Sequence, residues 1–226
     1  MKTKFWRKDV FNLIIAGCAA FVVLTVIAMF FYPGGTFTDP ARRGYSFFEN
    51  FFSELGFLRT PAGEPNTVSL VLFVTAMFLA GGGMALFFLA LPKFYRRTRT
   101  GHILGMFGSI FGVLSAICFW GVAAFPADVN LAAHGDFVVW AFRLFPAAVL
   151  CYAIVYFLEK GVSYGYAWAL VIFLVFLIGY IFLLELGPDF KSLPGTVIQA
   201  TGQKVIVYAS ILSVMIQSWG LRRNPH

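Results

Sequence analysis

Residues 10–32, VFNLIIAGCAAFVVLTVIAMFFY, form an apolar run long enough to cross a lipid bilayer as a single helix. At 1.5 Å per residue, about 20 apolar residues span roughly 30 Å of hydrocarbon. The basic start MKTKFWRK is typical of a signal peptide, but the apolar core is too long for one. It also ends in FFYPGG, without a small-residue cleavage site. This stretch therefore predicts a transmembrane helix.

Runs of the same kind recur along the chain and decide the fold class. Six spans are predicted, at about 10–32, 67–91, 102–125, 136–158, 164–186 and 203–221. The composition agrees, because 60% of the 226 residues are hydrophobic and 12% are charged. That leaves too little polar surface to cover a soluble globule. We therefore expect an all-α integral membrane protein, with residues 1–226 forming one six-helix domain.

The charged residues are sorted by loop, which predicts an orientation. Most of the Lys and Arg residues fall on one side of the six spans, namely Lys2, Lys4, Arg7, Lys8, Lys93, Arg96, Arg97, Arg99, Lys160, Arg222 and Arg223. Most of the acids fall at or beyond the opposite ends, namely Asp39, Glu49, Glu54, Glu64, Asp128, Asp136, Glu185 and Asp189. By the positive-inside rule, both termini are predicted to be cytoplasmic in a cell membrane. Topology thus accounts for the net charge of +7 without a nucleic-acid partner.

Small residues and helix breakers indicate how the spans pack and where they stop. The third span carries Gly101, Gly105, Gly108 and Gly112 on one ridge. Helices in lipid associate through close packing, so this ridge predicts a tight helix contact. The breakers PGG at 33–35 and GPD at 187–189 predict the ends of the first and fifth spans.

The segment YSFFENFFSELGFL, residues 45–58, repeats a pair of aromatic residues followed by a pair of polar ones. On a helix, its apolar side chains share one side within about 140° of arc. These are Phe47, Phe48, Phe51, Phe52 and Leu55, and the polar side holds Ser46, Glu49, Asn50, Ser53 and Glu54. We expect a short amphipathic helix in the membrane interface. The pattern leaves open whether its polar side faces water or an internal cavity.

Polar residues also gather at the start of the fourth span, in FPADVNLAAHGDFVVWAFRLFP, residues 125–146. Arg143 lies about two turns inside an apolar helix, which costs about 2.5 to 3.5 kcal/mol unless the arginine is paired or hydrated. Its candidate acidic partners are Asp136, Glu185 and Glu54. The predicted ligand-binding residues at this outer face are Glu49, Asn50, Ser53, Glu54, Asp128, His134, Asp136, Arg143, Glu185 and Lys204. A purely structural ion-pair network is the alternative.

Catalytic residues are harder to assign, because no GxSxG, HExxH, P-loop or dinucleotide motif is present. The candidates are His134 as a general base, Asp128 or Glu54 to orient it, and Ser53 as a nucleophile. His102 lies at the predicted cytoplasmic start of the third span and His226 in the tail, so a zinc site of three histidines within the bundle is not expected. No metal or other cofactor is predicted, and His134 with Asp128 are the residues left for a metal.

Three motifs resemble a known family pattern, namely NFFSELG (50–56), PNTVSLVLF (65–73) and GVAAFPAD with a following histidine (121–134). They are similar to the prokaryotic domain-of-unknown-function family 998, which is distantly similar to the Frag/DRAM/Sfk group. The resemblance implies six membrane helices, and the eukaryotic group is associated with lipid remodelling and autophagy. The polar and turn positions it implies are Asn50, Ser53, Gly56, Pro126, Asp128 and His134.

Three functions of different classes follow as hypotheses. The first is a protein that binds or handles a lipid or other amphiphile at a polar cavity of the outer leaflet. The second is an intramembrane hydrolase or transferase acting on such a lipid, metal-assisted or not, with His134 as the base. The third is a non-catalytic subunit that packs against other membrane proteins.

Overall fold

Six long helices make up most of the chain in the computed structural model, which describes residues 5–95, 98–159 and 163–223. They are α1 Val10–Phe31, α2 Thr67–Ala90, α3 Arg99–Ala124, α4 Leu131–Leu158, α5 Tyr164–Leu186 and α6 Leu193–Arg223. All six are long and apolar enough to cross a membrane, with α2 extended by a short 3-10 turn. This confirms the predicted six-helix pattern of a multi-pass membrane protein. Five basic residues used to predict the orientation, Lys2, Lys4, Arg96, Arg97 and Lys160, lie outside the described residues.

Two helices begin five or more residues earlier than their hydrophobicity predicts. Helix α4 starts at Leu131 rather than near 136, because the side chain of Asn130 accepts a hydrogen bond from the Ala133 amide at 3.0 Å and caps the helix. Helix α6 starts at Leu193 rather than near 203. Its first turns contain several polar residues, so a search for apolar segments does not include them. The breakers do end α1 at Phe31 and α5 at Leu186, as predicted.

The helices pack as a ring in chain order. Each helix contacts the next one along the chain, and α6 returns to contact α1. Helices α1, α3 and α5 end, and α2, α4 and α6 begin, at one end of this ring, which we call the loop end. The segment that joins α1 to α2, residues 32–66, folds over the loop end, and we call it the flap. A ring of this kind leaves a space between the helices along its axis.

The glycines of α3 allow the close approach that their spacing predicts. All four ridge glycines are buried. A Cβ atom at Gly108 would lie 2.9 Å from both the Cβ of Cys151 and the ring of Tyr152 on α4. A Cβ atom at Gly112 would overlap the ring of Phe88 on α2. Helix α3 therefore packs closely against both α2 and α4.

The flap does not contain the three-turn amphipathic helix predicted at 45–58. The chain forms a turn near 46–50, extends at Phe51 with ψ of 153°, and then makes one short 3-10 helix, Phe52–Gly56. The Asn50 side chain accepts a hydrogen bond from the Ser46 amide at 2.8 Å and donates one to the Gly35 carbonyl at 2.7 Å. Side-chain bonds of this kind compete with helical backbone bonds. The prediction failed because these local polar bonds override the apolar periodicity.

We predict that Gly112→Ala destabilises the protein, because the added methyl group overlaps Phe88. Overpacking of this kind costs about 1 to 3 kcal/mol. The matched control is Gly179→Ala on α5, where a Cβ atom meets nothing within 4 Å. The control should be neutral or slightly stabilising, since alanine favours helix over glycine. Thermal unfolding in detergent measures both, and equal melting temperatures for the two variants would contradict the packing described.

Candidate functional site

A lysine buried at the loop end ties the flap to α6. The Lys204 side chain is 1% exposed, and its ammonium donates hydrogen bonds to the Asn50 carbonyl and, at 3.3 Å, to the Ala200 carbonyl. The rings of Tyr45 and Phe47 lie with their centroids 5.4 and 5.3 Å from the ammonium nitrogen. This distance suits a cation–π interaction. Three of these four contacts come from the flap, so the buried charge holds the flap in place.

A buried carboxylate lies on the other side of Asn50. Glu54 is fully buried, and its Oε2 accepts hydrogen bonds from the Asn50 amide at 2.8 Å and from the Tyr32 hydroxyl at 3.3 Å. Its Oε1 accepts one from the Phe51 backbone amide at 2.5 Å. Asn50 thus contacts both charges, accepting from Lys204 through its carbonyl and donating to Glu54 through its side chain. We call Tyr32, Asn50, Glu54 and Lys204 the buried charge cluster.

The pKa of the Glu54 carboxyl lies near neutral pH. Burial raises the pKa of this carboxyl from 4.5 to about 7. The hydrogen bonds from Asn50, Phe51 and Tyr32 and the charge of Lys204 lower the pKa and limit the rise. Burial also raises the pKa of the nearby Tyr45 hydroxyl, which keeps that group neutral. Glu54 therefore changes its charge in the physiological range.

A narrow cavity lies beneath the flap, between the helices. Its volume is about 90 Å³, and every helix except α5 contributes to its wall. The lining residues are Cys18, Phe21, Phe52, Ser53, Phe73, Met77, Ala80, Gly81, Met84, Phe119, Val122, Val138, Phe142, Phe145, Gln203, Val207, Ser210, Ile211 and Val214. Along α6 the wall runs from Gln203 to Val214, which is about 16 Å at 1.5 Å per residue. The cavity is therefore long, thin and largely apolar.

Two polar side chains of this wall, Ser53 and Gln203, lie at its loop end. The Gln203 side chain accepts a hydrogen bond from the Phe52 amide at 2.6 Å, which joins α6 to the flap. The Ser53 hydroxyl forms no hydrogen bond within the described ranges. Deeper in the cavity, the Ser210 hydroxyl is bonded to the Ile206 carbonyl of its own helix at 2.7 Å. The free hydroxyl of Ser53 thus marks the polar end of the cavity.

Asp128 and His134 hold loops together and do not line the cavity. The Asp128 carboxylate accepts hydrogen bonds from the amides of Leu58 and Arg59, both at 2.9 Å, and so fastens the flap to the loop between α3 and α4. The Nδ1 atom of His134 is 2.8 Å from the carbonyl oxygen of Phe125, at the end of α3. The side chains of both residues therefore form hydrogen bonds with backbone groups.

The ion pair of Arg143 lies on the outside of the ring. Of its three candidate partners the structure shows Glu185, since Nη2 of Arg143 is 2.7 Å from Oε1 of Glu185. However, the two side chains are 51% and 43% exposed, so they lie apart from the buried charge cluster. Glu49 pairs with Arg42 at 2.7 Å on the flap surface, and Asp136 is exposed. The prediction that these acids and bases share one hollow is wrong, because long side chains of this kind pair at the surface at less cost than in the interior.

No catalytic arrangement is formed by the predicted candidates. Within the described part of the chain, no hydrogen bond joins Ser53, His134 and Asp128 to one another. Among the same residues, no group of three or more His, Cys, Asp or Glu side chains is placed to hold a metal ion. Of the predicted site residues, the structure brings together Asn50, Glu54 and Lys204, with Ser53 on the cavity wall beside them.

Sequence reasoning missed Tyr32 and Gln203, and it predicted a polar cavity where the structure has a largely apolar one. In the sequence, Tyr32 is the last residue of an apolar span, and Gln203 is the residue that precedes Lys204. The available signal for Gln203 was its position beside Lys204, whereas no sequence motif marks Tyr32. The chain has no match among protein-family models, curated proteins or solved structures.

We predict that Asp128→Ala loosens the flap, because the Leu58 and Arg59 amides lose their acceptor. Hydrogen bonds to a charged group contribute about 1.5 to 3 kcal/mol when buried, and less when exposed as here. Hydrogen exchange of residues 57–60 should accelerate about tenfold, the equivalent of about 1.4 kcal/mol. Asp136→Ala is the control, and unchanged exchange in both variants would rule out the role assigned to Asp128.

We predict a pH-dependent stability that depends on Glu54. The folded-state pKa of Glu54 lies near 7, above the ordinary value of 4.5. Protonation of Glu54 therefore adds to the free energy of unfolding at low pH. This contribution is lost as the pH rises from about 4.5 to about 7, by at most about 1.4 kcal/mol per pH unit. Wild type should therefore lose stability relative to Glu54→Gln across this window. Unfolding at several pH values, with Glu49→Gln as control, tests this, and a constant difference would refute it.

Proposed function

We propose that this chain is a multi-pass protein of the cell membrane that binds a single-chain lipid or another small amphiphile. The hydrocarbon part lies in the central cavity, and the head group lies under the flap. Both termini are cytoplasmic, so the loop end faces the outer side. The observation that carries the proposal is the long apolar cavity with polar groups, Ser53 and Gln203, at its loop end.

The dimensions of the cavity favour one hydrocarbon chain. An apolar cavity of about 150 Å³ in another protein stays dry and binds benzene, so an apolar space of this kind suits an apolar occupant better than water. The volume here is about 90 Å³, spread over the length between Gln203 and Val214. Two acyl chains do not fit side by side in such a space. Met77 and Met84 line it, and their flexible side chains adapt to an occupant.

The other two hypotheses have less support. An enzyme acting on a ligand in the cavity needs its base to face that ligand, but His134 is absent from the cavity wall. For a subunit, no surface formed by the described residues favours a protein partner over lipid. The resemblance to family 998 is part of this proposal and is consistent with a lipid ligand, because the eukaryotic group to which that family is distantly similar is associated with lipid remodelling.

The test fills the cavity without changing the surface of the protein. We expect Val207→Phe, on the cavity wall, to lower the amount of amphiphile that copurifies per protein at least about fivefold, because its ring occupies the space of the chain. The measurement is mass spectrometry of small molecules released from protein purified in mild detergent.

The matched control is Val205→Phe, two residues away on the same helix but 49% exposed and outside the cavity wall. It should retain the wild-type ligand content. If both variants and wild type release the same compounds in the same amounts, the cavity does not bind an amphiphile.

A further inference from the structure

The buried charges near the cavity are already satisfied by protein groups. Lys204 donates to the Asn50 and Ala200 carbonyls, and Glu54 accepts from Asn50, Tyr32 and Phe51. One cation and one anion lie on either side of Asn50, so the cluster carries little net charge when both are ionised. Neither residue belongs to the cavity wall. A ligand in the cavity therefore meets no charged partner among the described residues.

The groups that do face the head of a ligand are neutral. Ser53 supplies a hydroxyl without a partner among the described residues, which can donate and accept. Gln203 supplies an amide whose oxygen is already bonded to the Phe52 amide at 2.6 Å. A hydroxyl or carbonyl head group can exchange hydrogen bonds with such groups. A carboxylate or phosphate would lose its hydration in an apolar space and gain at most a few neutral donors, which does not compensate an ion.

We infer that the ligand has an uncharged head group, as in a single-chain fatty alcohol or a carbonyl compound of similar length, which hydrogen-bonds to Ser53. This inference rests on the proposed function, since it assigns a chemical class to the amphiphile in the cavity. The buried charge cluster serves to close the flap over the head group and does not bind it. The specificity of the site thus comes from the absence of a free charge in the wall.

The experiment compares two photoreactive probes of equal length, a twelve-carbon alcohol and the corresponding carboxylic acid. The full-length protein is placed in phosphatidylcholine nanodiscs at pH 8.5, where a carboxylic acid is ionised. After illumination, labelled peptides are mapped by mass spectrometry. We expect the alcohol to label residues of the cavity wall at least about tenfold more than the acid, because the ion is not desolvated.

Two variants show whether the labelling reports the head-group contact. Ser53→Ala should reduce labelling by the alcohol about fivefold, as expected for the loss of one hydrogen bond. Ser53→Thr keeps the hydroxyl and should restore the labelling. Failure of Ser53→Ala to change it would overturn the assigned contact.

The outcomes also separate this inference from the proposal on which it rests. If the acid labels the cavity wall as strongly as the alcohol, and Val207→Phe abolishes both signals, an amphiphile binds but the uncharged head group is refuted. If neither probe labels the wall and Val207→Phe changes nothing, the proposed function fails together with the inference. Labelling by the alcohol alone, lost in Val207→Phe and kept in Val205→Phe, is the result predicted.

Discussion

A lysine ammonium buried between helices needs hydrogen-bond acceptors and a compensating charge, and the loop end of this protein is arranged to provide both. Lys204 lies on α6, whereas its main acceptor, the Asn50 carbonyl, and its compensating anion, Glu54, lie on the flap. Asn50 contacts both. Burying one such charge without the other is costly, since an unpaired ion in the interior loses its hydration. The flap is therefore held closed by electrostatics as well as by packing of Phe52 and Leu55.

The closed flap places two adjacent residues, Ser53 and Glu54, in different environments. Glu54 faces the charge cluster, and Ser53, the preceding residue, faces the cavity. Below Ser53 the wall is almost entirely apolar. The same short 3-10 helix thus keeps charge out of the cavity and presents one hydroxyl to it. This separation suits the proposed ligand, because a free charge in the wall would retain water.

The membrane helices could be predicted from sequence because each depends on a property of its own residues. The run at 10–32 and helix α1, Val10–Phe31, agree to within one residue. The flap could not be predicted in the same way, since its conformation depends on bonds from Asn50 and Glu54 to distant groups such as Gly35 and Tyr32. For Arg143 the need for a partner was predictable from its desolvation cost, but its exposure was not. The cavity is a gap left by packing, which no single residue encodes.

The central claim, that Lys204 and Glu54 depend on each other across Asn50, is tested most directly by a double-mutant cycle. Unfolding free energies are measured for wild type, Lys204→Met, Glu54→Gln and the double variant. Each single variant leaves one buried group without compensation, so the double variant should cost less than the sum of the single ones. We expect a coupling of about 1 to 3 kcal/mol. Additive costs, with no coupling, would contradict the account.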